Sequence, residues 1–288
     1  MPRRSTRTSR AKAAAKRWRK RWRRVAGFWP GAPLRRRWAR AFRRLPAYGQ
    51  IVAGLVVVVV VWFGVNWMYQ VIRKPTELFF PVSGTLFKTP QETWQEYGPI
   101  FRAHATNTIT PEFLAALAQI EGSGNPIART YWRWSFTVDP LNVYRPASSA
   151  VGMYQFTDGT FAEAKQFCIH DHHVVEDGPW HAWRSCWFNA LYSRVVPSNA
   201  VEMASAYLDV NVTRTLQRHG VTSATLQQRQ NVAALMHLCG VGAADEYVAR
   251  RFRLTSGQRC GDHLASGYVA RVNAMKALFA RLSAGADP

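Results

Sequence analysis

The chain has 288 residues, of which 48% are hydrophobic, and a formal net charge of +21. The charge is concentrated at one end. Residues 1–50 hold 18 Lys and Arg and no acidic residue, whereas the remaining 238 residues hold 20 basic and 17 acidic groups. The hydrophobic content excludes a wholly disordered chain, and the nearly balanced body excludes a strongly basic domain. The composition predicts one sizeable globular domain with a basic appendage.

Residues 1–47 are predicted to form a disordered, Arg-rich arm on the cytoplasmic side of a membrane. The stretches KRWRKRWRRVAGFW and RRRWARAFRR interleave Arg with Trp and Phe. This pattern suits anionic lipid headgroups, at about 1 kcal/mol for each basic residue near the surface. Nucleic acid is the rival partner, because Arg and aromatic side chains also bind phosphates and bases. The adjacent apolar segment favours lipid, so we expect no nucleic-acid partner; a role in membrane topology alone is the remaining alternative.

A single transmembrane helix is predicted over residues 48–73. The block from Ile51 to Ile72 has no charged residue, and its 22 residues, at 1.5 Å each in a helix, cover the roughly 30 Å of a bilayer core. Trp67 and Tyr69 lie toward its C-terminal end, where aromatic side chains suit a membrane interface. A cleaved signal peptide is the alternative, but its apolar region would be only about 7–15 residues long. The Arg residues before the block predict a cytoplasmic N-terminus and a body outside the cytoplasm.

Residues 74–92 are predicted to be a linker interrupted by Pro and Gly, and residues 93–285 a mostly α-helical domain. In TITPEFLAALAQIE, Thr110 is the predicted N-cap and Pro111 the first helical residue. Further helices are predicted in PSNAVEMASAYLDVNVTRTLQRHG, SATLQQRQNVAALMHLCG and SGYVARVNAMKALFARLSAG. The sequence shows no continuous strand pattern and no internal repeat.

All four cysteines follow the apolar segment. An even number of cysteines outside the cytoplasm favours two disulfides. Three pairings are open, and we favour the two local ones, Cys168 with Cys186 and Cys239 with Cys260. Each would close a loop of about 20 residues and contribute on the order of 3 kcal/mol to stability in the chain-entropy description.

Glu121 is the candidate acid of the domain. It lies at the C-terminal end of an apolar helical pattern, which stops at Gly122, Ser123 and Gly124. Apolar neighbours and the negative end of the helix dipole both favour the protonated form of a carboxyl group, the form that donates a proton to a leaving oxygen. By position alone, a solvated helix-end residue is the commoner interpretation.

The block SSAVGMYQFTDGTFAEA, residues 148–164, is the second motif. Gly152 permits two backbones to approach closely, and Gln155 can both donate to and accept from a sugar hydroxyl or amide. Together, EGSGNP and AVGMYQFTDGTF resemble the SLT-type lytic transglycosylases of the lysozyme-like superfamily. The hallmark of that family is Glu-Ser-x-x-Asn-Pro, followed by Gly-Leu-Met-Gln-Leu and a capped helix. The resemblance covers roughly residues 95–285 and implies a lysozyme-like helical domain.

The resemblance also implies roles for individual residues. Glu121 matches the single catalytic acid of the family, and Tyr268 matches a late Tyr that approaches the acid. Asn125 matches the turn that fixes the helix end. The implied substrate-binding set is Ser123, Asn125, Gly152, Met153, Tyr154, Gln155, His237 and Tyr268.

The sequence departs from the family pattern in three places. Gly122 replaces the Ser that follows the acid, although Ser123 comes next. In NVAALMHLCGVGAA, His237 and Leu238 stand where the family has Tyr and Asn. A longer segment, residues 127–151, separates the two motifs. Its aromatic residues either line a sugar groove or pack a larger lobe: Tyr131, Trp132, Trp134 and Tyr144.

The implied activity is cleavage of the β-1,4 bond between N-acetylmuramic acid and N-acetylglucosamine in peptidoglycan, giving 1,6-anhydro products without a cofactor. The implied location is the inner membrane, with the catalytic domain in the periplasm. A hydrolytic muramidase or chitinase-like enzyme is one alternative, with Asp139 and Asp158 as candidate second carboxylates. A non-catalytic peptidoglycan-binding scaffold is another. The anchor alone suggests proteins of an envelope machine as further partners.

The stretch CIHDHHVVEDGPWH is rich in possible metal ligands. Imidazoles and carboxylates at short spacing suit zinc or copper. However, no His pair has helical i, i+4 spacing and the cysteines have a competing use. We therefore favour a polar loop at residues 170–181 and predict no metal site.

Overall fold

The computed structural model describes residues 32–176, 178–179, 181–182 and 185–285. The chain divides into two units, one ending at Val65 and one beginning at Asn66. The sequence predicts a disordered arm over residues 1–47, and residues 1–31 of that arm lie outside the described residues. The prediction is wrong for helix α1 (Ala32–Arg43), because Ala, Leu and Arg are strong helix formers.

Helix α2 (Ala47–Arg73) confirms the prediction of one long apolar helix. It has a mean hydropathy of 2.4 over its most apolar stretch, and among the described residues it is the one helix long and apolar enough to cross a membrane. Most side chains from Ile51 to Val65 are exposed. Such exposure of Val and Leu suits a helix whose surroundings are lipid.

The segment predicted to be a linker is folded onto the rest of its unit. A 3-10 turn (Pro75–Phe79) and the short helix α3 (Phe80–Ser83) follow α2 directly. Glu77 is fully buried, and its carboxylate oxygens lie 3.2 Å from Lys74 Nζ and 3.2 Å from Arg129 NH1. Trp132 Nε1 also donates to Glu77, over 2.8 Å. These contacts join the end of α2 to residues 52 and 55 positions after Glu77.

The body is mostly helical, as predicted. Thr110 caps α5 through its side chain, and Thr225 and Gln228 form a capping box at α8. Every residue from Phe113 to Ala118 is buried, which makes α5 the central helix, and α10 packs along it. The body helices are α4 (Pro90–Ala103), α5 (Pro111–Gly122), α6 (Asp158–Ala164), α7 (Pro197–Arg218), α8 (Leu226–Cys239), α9 (Val241–Ala249) and α10 (Ala265–Ser283).

The described residues form three antiparallel hairpins where the sequence shows no strand pattern. They pair β1 (Trp132–Trp134) with β2 (Tyr144–Pro146), β3 (Phe167–His170) with β4 (His173–Glu176), and β5 (Arg259–Cys260) with β6 (His263–Leu264). Strands of two to four residues are too short to show a period-two pattern.

Both predicted disulfides are present. Cys168 of β3 bonds Cys186, which lies 18 residues later. Cys239 at the end of α8 bonds Cys260 of β5, which lies 21 residues later. Each bond therefore joins a hairpin to a neighbouring segment, and the second fixes the C-terminal end of α8.

Candidate functional site

Glu121 lies in the last turn of α5. Ser123 ends this helix with a left-handed backbone (φ 49°), and its N–H bonds back to Ala118 and Gln119. The Glu121 side chain is 19% exposed. The carboxyl group is thus neither sealed in the core nor open to bulk water.

Two side chains from other helices meet this carboxylate. Tyr268, on α10, donates a short hydrogen bond from its hydroxyl to Glu121 Oε1. His237, on α8, places Nε2 3.7 Å from the same oxygen, an ion pair when the imidazole is protonated. Phe156 lies beside the His237 ring, 6.2 Å between centroids. The structure therefore brings together three residues that the family resemblance named: Glu121, His237 and Tyr268.

Tyr268 is only 2% exposed. Burial, reinforced by the Glu121 carboxylate, raises the pKa of Tyr268 well above its usual range. The hydroxyl keeps its proton at any physiological pH, so it remains a hydrogen-bond donor to Glu121.

Gly122 packs directly against the second motif. A Cβ at this position would lie 2.7 Å from Met153 Cα and 2.9 Å from its carbonyl oxygen. Only glycine fits such an approach. The departure from the family pattern at Gly122 thus has a local cause, which is the contact between the acid-bearing helix and the Gly152–Gln155 loop.

This loop is held by its own backbone and by Gln155. The Gly152 N–H donates to the Ala128 carbonyl over 2.8 Å. Gln155 Nε2 donates to the carbonyls of Ala128 (3.1 Å) and Gly152 (2.8 Å). The amide nitrogen that the sequence assigned to sugar binding is therefore engaged with the loop.

Arg194 is a structural residue of the site that sequence reasoning missed. Its guanidinium donates to the carbonyls of Ser149 (3.0 Å) and Phe156 (2.8 Å) and pairs with Asp158 (2.8 Å). Its own carbonyl would lie 2.3 Å from a Cβ on Gly152, which has φ 83°. No local pattern indicates a contact between residues about 40 positions apart.

Several predicted substrate-binding residues lie beneath the site. Met153 and Tyr154 are buried in the core, and the Tyr154 hydroxyl donates to the Leu114 carbonyl over 3.2 Å. Asn125 is also buried; its amide donates to the Ser83 carbonyl (2.5 Å) and its Oδ1 accepts from the Ile127 N–H (2.9 Å). These side chains support the frame of the site.

The end of α5 is further bonded to the segment before α4. The Ser123 carbonyl accepts from the Lys88 N–H over 2.9 Å. Gln119 accepts from the Thr93 hydroxyl (2.7 Å) and donates to the Lys88 carbonyl (2.9 Å). The turn that carries the acid is thus restrained from two sides.

An open concavity of about 630 Å³ begins at Leu238, the neighbour of His237. Its lining is largely polar and includes the second disulfide. The side chains that border it are Leu238, Glu246, Gln258, Arg259, Asp262 and His263.

The candidate second carboxylates are engaged elsewhere. Asp139 accepts from the Leu141 N–H (2.9 Å) and from Asn142 Nδ2 (2.5 Å) within the loop between β1 and β2. Asp158 begins α6 and pairs with Arg194. The contacts of Asp139 are those expected of a turn residue, and the place of Asp158 in the first turn of a helix suits its negative charge.

The His-rich stretch forms the β3–β4 hairpin, with His170 opposite His173. The ring of His172 bonds the Ala105 carbonyl over 2.9 Å. Within the described ranges, which leave out Asp177, no three ligand-type side chains are grouped as a metal would require.

No protein-family model matches the chain, and no curated protein is significantly similar to it.

Proposed function

We propose that the chain is a membrane-anchored lytic transglycosylase in which Glu121 acts as both acid and base. One observation carries the proposal: a partly exposed carboxyl group ends an otherwise buried helix and accepts a hydrogen bond from a buried Tyr hydroxyl. A carboxyl group fixed by a donor that keeps its proton at physiological pH is positioned for proton transfer. The two motifs around it, in contact at Gly122 and Met153, add to this support.

In the proposed reaction, protonated Glu121 donates its proton to the glycosidic oxygen between N-acetylmuramic acid and N-acetylglucosamine. The bond from the anomeric carbon to that oxygen breaks, and the substrate's own N-acetyl group relieves the positive charge. The Glu121 carboxylate then removes the proton of the muramic C6 hydroxyl, whose oxygen bonds the anomeric carbon. The product is a 1,6-anhydro ring, no water is consumed, and Glu121 ends protonated.

A single carboxylate suffices for this chemistry, whereas most glycosidases use two, about 5–9.5 Å apart. Asp139 is engaged within its own turn and Asp158 in an ion pair with Arg194, and these contacts favour the one-acid reaction over hydrolysis. Tyr268 would orient Glu121, and His237 would stabilise its ionised form between the two proton transfers.

The proposed location is the inner membrane, with α2 as the anchor, the arm in the cytoplasm and the helical body in the periplasm. The two disulfides support an oxidising compartment for the body. The proposed partners are peptidoglycan glycan strands and, through the basic arm, anionic lipids.

The test is digestion of purified sacculi by the full-length protein and by Glu121→Gln, with mass spectrometry of the soluble products. We expect the wild type to release 1,6-anhydro muropeptides and the variant to release none, with thermal stability nearly unchanged. Glu112→Gln, in the first turn of the same helix, is the matched control and should keep full activity.

Three outcomes contradict the proposal. Products with reducing ends would identify a hydrolase. Binding of sacculi by the wild type without soluble products would identify a scaffold. Full activity of Glu121→Gln would remove Glu121 from the chemistry.

A further inference from the structure

The loop between β1 and β2 exposes large apolar side chains. Phe136 and Val138 are fully exposed, and Trp134 is 61% exposed. They alternate along the chain, as do residues that share one face of an extended segment. Clustered exposed apolar side chains of this size mark a surface that contacts another phase or another molecule.

This hairpin is bonded to the last two turns of α2. Asn66 Nδ2 donates to the Tyr144 carbonyl over 2.7 Å, and Gln70 Nε2 donates to the Leu141 carbonyl over 2.6 Å. Both amide side chains are buried, although most of α2 is exposed. The hairpin therefore lies beside the C-terminal end of the apolar helix.

The contacts also give the direction of the hairpin. Near its base, Lys74 Nζ donates to the carbonyls of Ser148 (3.2 Å) and Ala150 (3.0 Å). Tyr144, further along the hairpin, meets Asn66, which lies eight residues or about 12 Å back along α2. The hairpin thus follows the helix from Lys74 back to Asn66, within the C-terminal part of the apolar block. Trp134 is opposite Tyr144 in the hairpin, so the loop that follows Trp134 begins beside Asn66.

If α2 spans a bilayer, the part of α2 around Asn66 lies near the edge of that bilayer. Asn66 lies six residues before Ile72, the last residue of the apolar block, which is about 9 Å inside it. Non-helical backbone at such a depth needs internal hydrogen-bond partners. Asn66 and Gln70 supply donors to two of its carbonyls. Tyr144 and Trp134, with ring centroids 4.7 Å apart, suit the aromatic belt of an interface.

The charges beside the loop fit a lipid surface. Arg133 and Arg145 are directly opposite each other on β1 and β2. Like charges in this arrangement destabilise a hairpin in water. Anionic headgroups would offset the repulsion, at about 1 kcal/mol for each basic residue.

We propose that the loop with Trp134, Phe136 and Val138 inserts into the outer leaflet of the membrane that α2 spans. The chain would then contact the membrane through two segments: the spanning helix and an apolar loop that enters the headgroup and acyl-chain boundary to a depth of about 5–10 Å. This role assigns the aromatic segment to lipid rather than to a sugar groove. It rests on the anchoring by α2 and not on the proposed catalysis.

The test uses the full-length protein in nanodiscs of phosphatidylethanolamine and phosphatidylglycerol. All four cysteines are in disulfides, so Phe136→Cys or Val138→Cys gives one thiol for an environment-sensitive fluorophore. We expect a blue-shifted emission, and quenching by shallow lipid-borne spin labels about threefold stronger than at the control. The control is Gln217→Cys, at an exposed position of α7.

Two results would overturn the proposal. In one, both loop labels emit as the control does and are quenched equally by aqueous iodide. In the other, the loop labels shift only when sacculi are added, which would place the loop in a glycan groove. Neither result depends on whether Glu121 cleaves glycan, because the first is measured without sacculi and the second records where the loop label lies rather than the release of products.

Discussion

Solvent exposure differs between two regions of the molecule, the end of α5 and the loop between β1 and β2. At the end of α5, a polar carboxyl group is partly covered and held by a buried hydroxyl. In the loop, Phe136 and Val138 are apolar and fully exposed. Both regions depart from the usual distribution of side chains. The end of α5 covers a polar group that is usually exposed, and the loop exposes apolar groups that are usually buried.

The difference separates two kinds of function. A covered carboxylate costs desolvation, which hydrogen bonds offset, and such an arrangement is typical of a reacting group. Exposed apolar groups have no desolvation cost when another molecule covers them, and a cluster of such groups is typical of a contact surface. Substitutions in the first region should therefore lower the proposed activity, and those that remove a packing contact or a hydrogen bond should also lower stability, whereas substitutions in the second region should affect neither in water.

The largest effect is expected for Gly122→Ala. The new methyl group would collide with the Met153 backbone at 2.7 Å, so we expect a loss of about 1–3 kcal/mol in the free energy of unfolding and loss of sacculus digestion. Chemical denaturation and product release measure the two effects. Gly159→Ala is the control, because nothing lies within 4 Å of its Cβ position. Equal stability of the two variants would contradict close packing of the motifs.

A smaller effect on stability is expected for Tyr268→Phe. Loss of its hydrogen bond to Glu121 should cost about 1 kcal/mol and lower kcat about 10–100-fold, because the acid loses its positioning donor. Tyr207→Phe is the matched control: it removes a buried hydroxyl that donates to Glu163 over 3.1 Å, outside the site. It should cost similar stability and leave kcat unchanged. If both variants lower kcat equally, Tyr268 is only structural.

The smallest effect is expected for the double variant Phe136→Ser with Val138→Ser. Its free energy of unfolding should stay within about 0.5 kcal/mol of the wild type, because the removed side chains pack on little protein. Trp132→Phe in the same hairpin should be more costly, since it removes the donor to buried Glu77. Denaturation of all three proteins tests this order. A strongly destabilised double variant would mean that the loop is part of the folded core.

The parts that sequence reasoning anticipated depend on local signals. The Thr110 cap, the long apolar helix and both disulfides follow from neighbouring residues or short loops. The hairpins were missed because their strands have two to four residues. Arg194 and buried Glu77 could not be foreseen, since their partners lie about 40 to 55 positions away. The aromatic segment was recognised, and its composition left open a sugar groove or a larger packed lobe; the contacts with Asn66 and Gln70, which support the proposed lipid contact, join residues more than 70 positions apart and have no local signal.

The folded connection between α2 and α4 has a mechanical consequence. Ser83 and Lys88 each bond the turn that carries Glu121, and Lys74 and Glu77 join the exit of α2 to the same body. The segment between α2 and α4 is therefore not a free tether, because several of its residues are bonded to the body. Under the proposed function, a long flexible tether would let the catalytic group reach glycan at many distances from the membrane, whereas a bonded connection leaves little free chain for such a search.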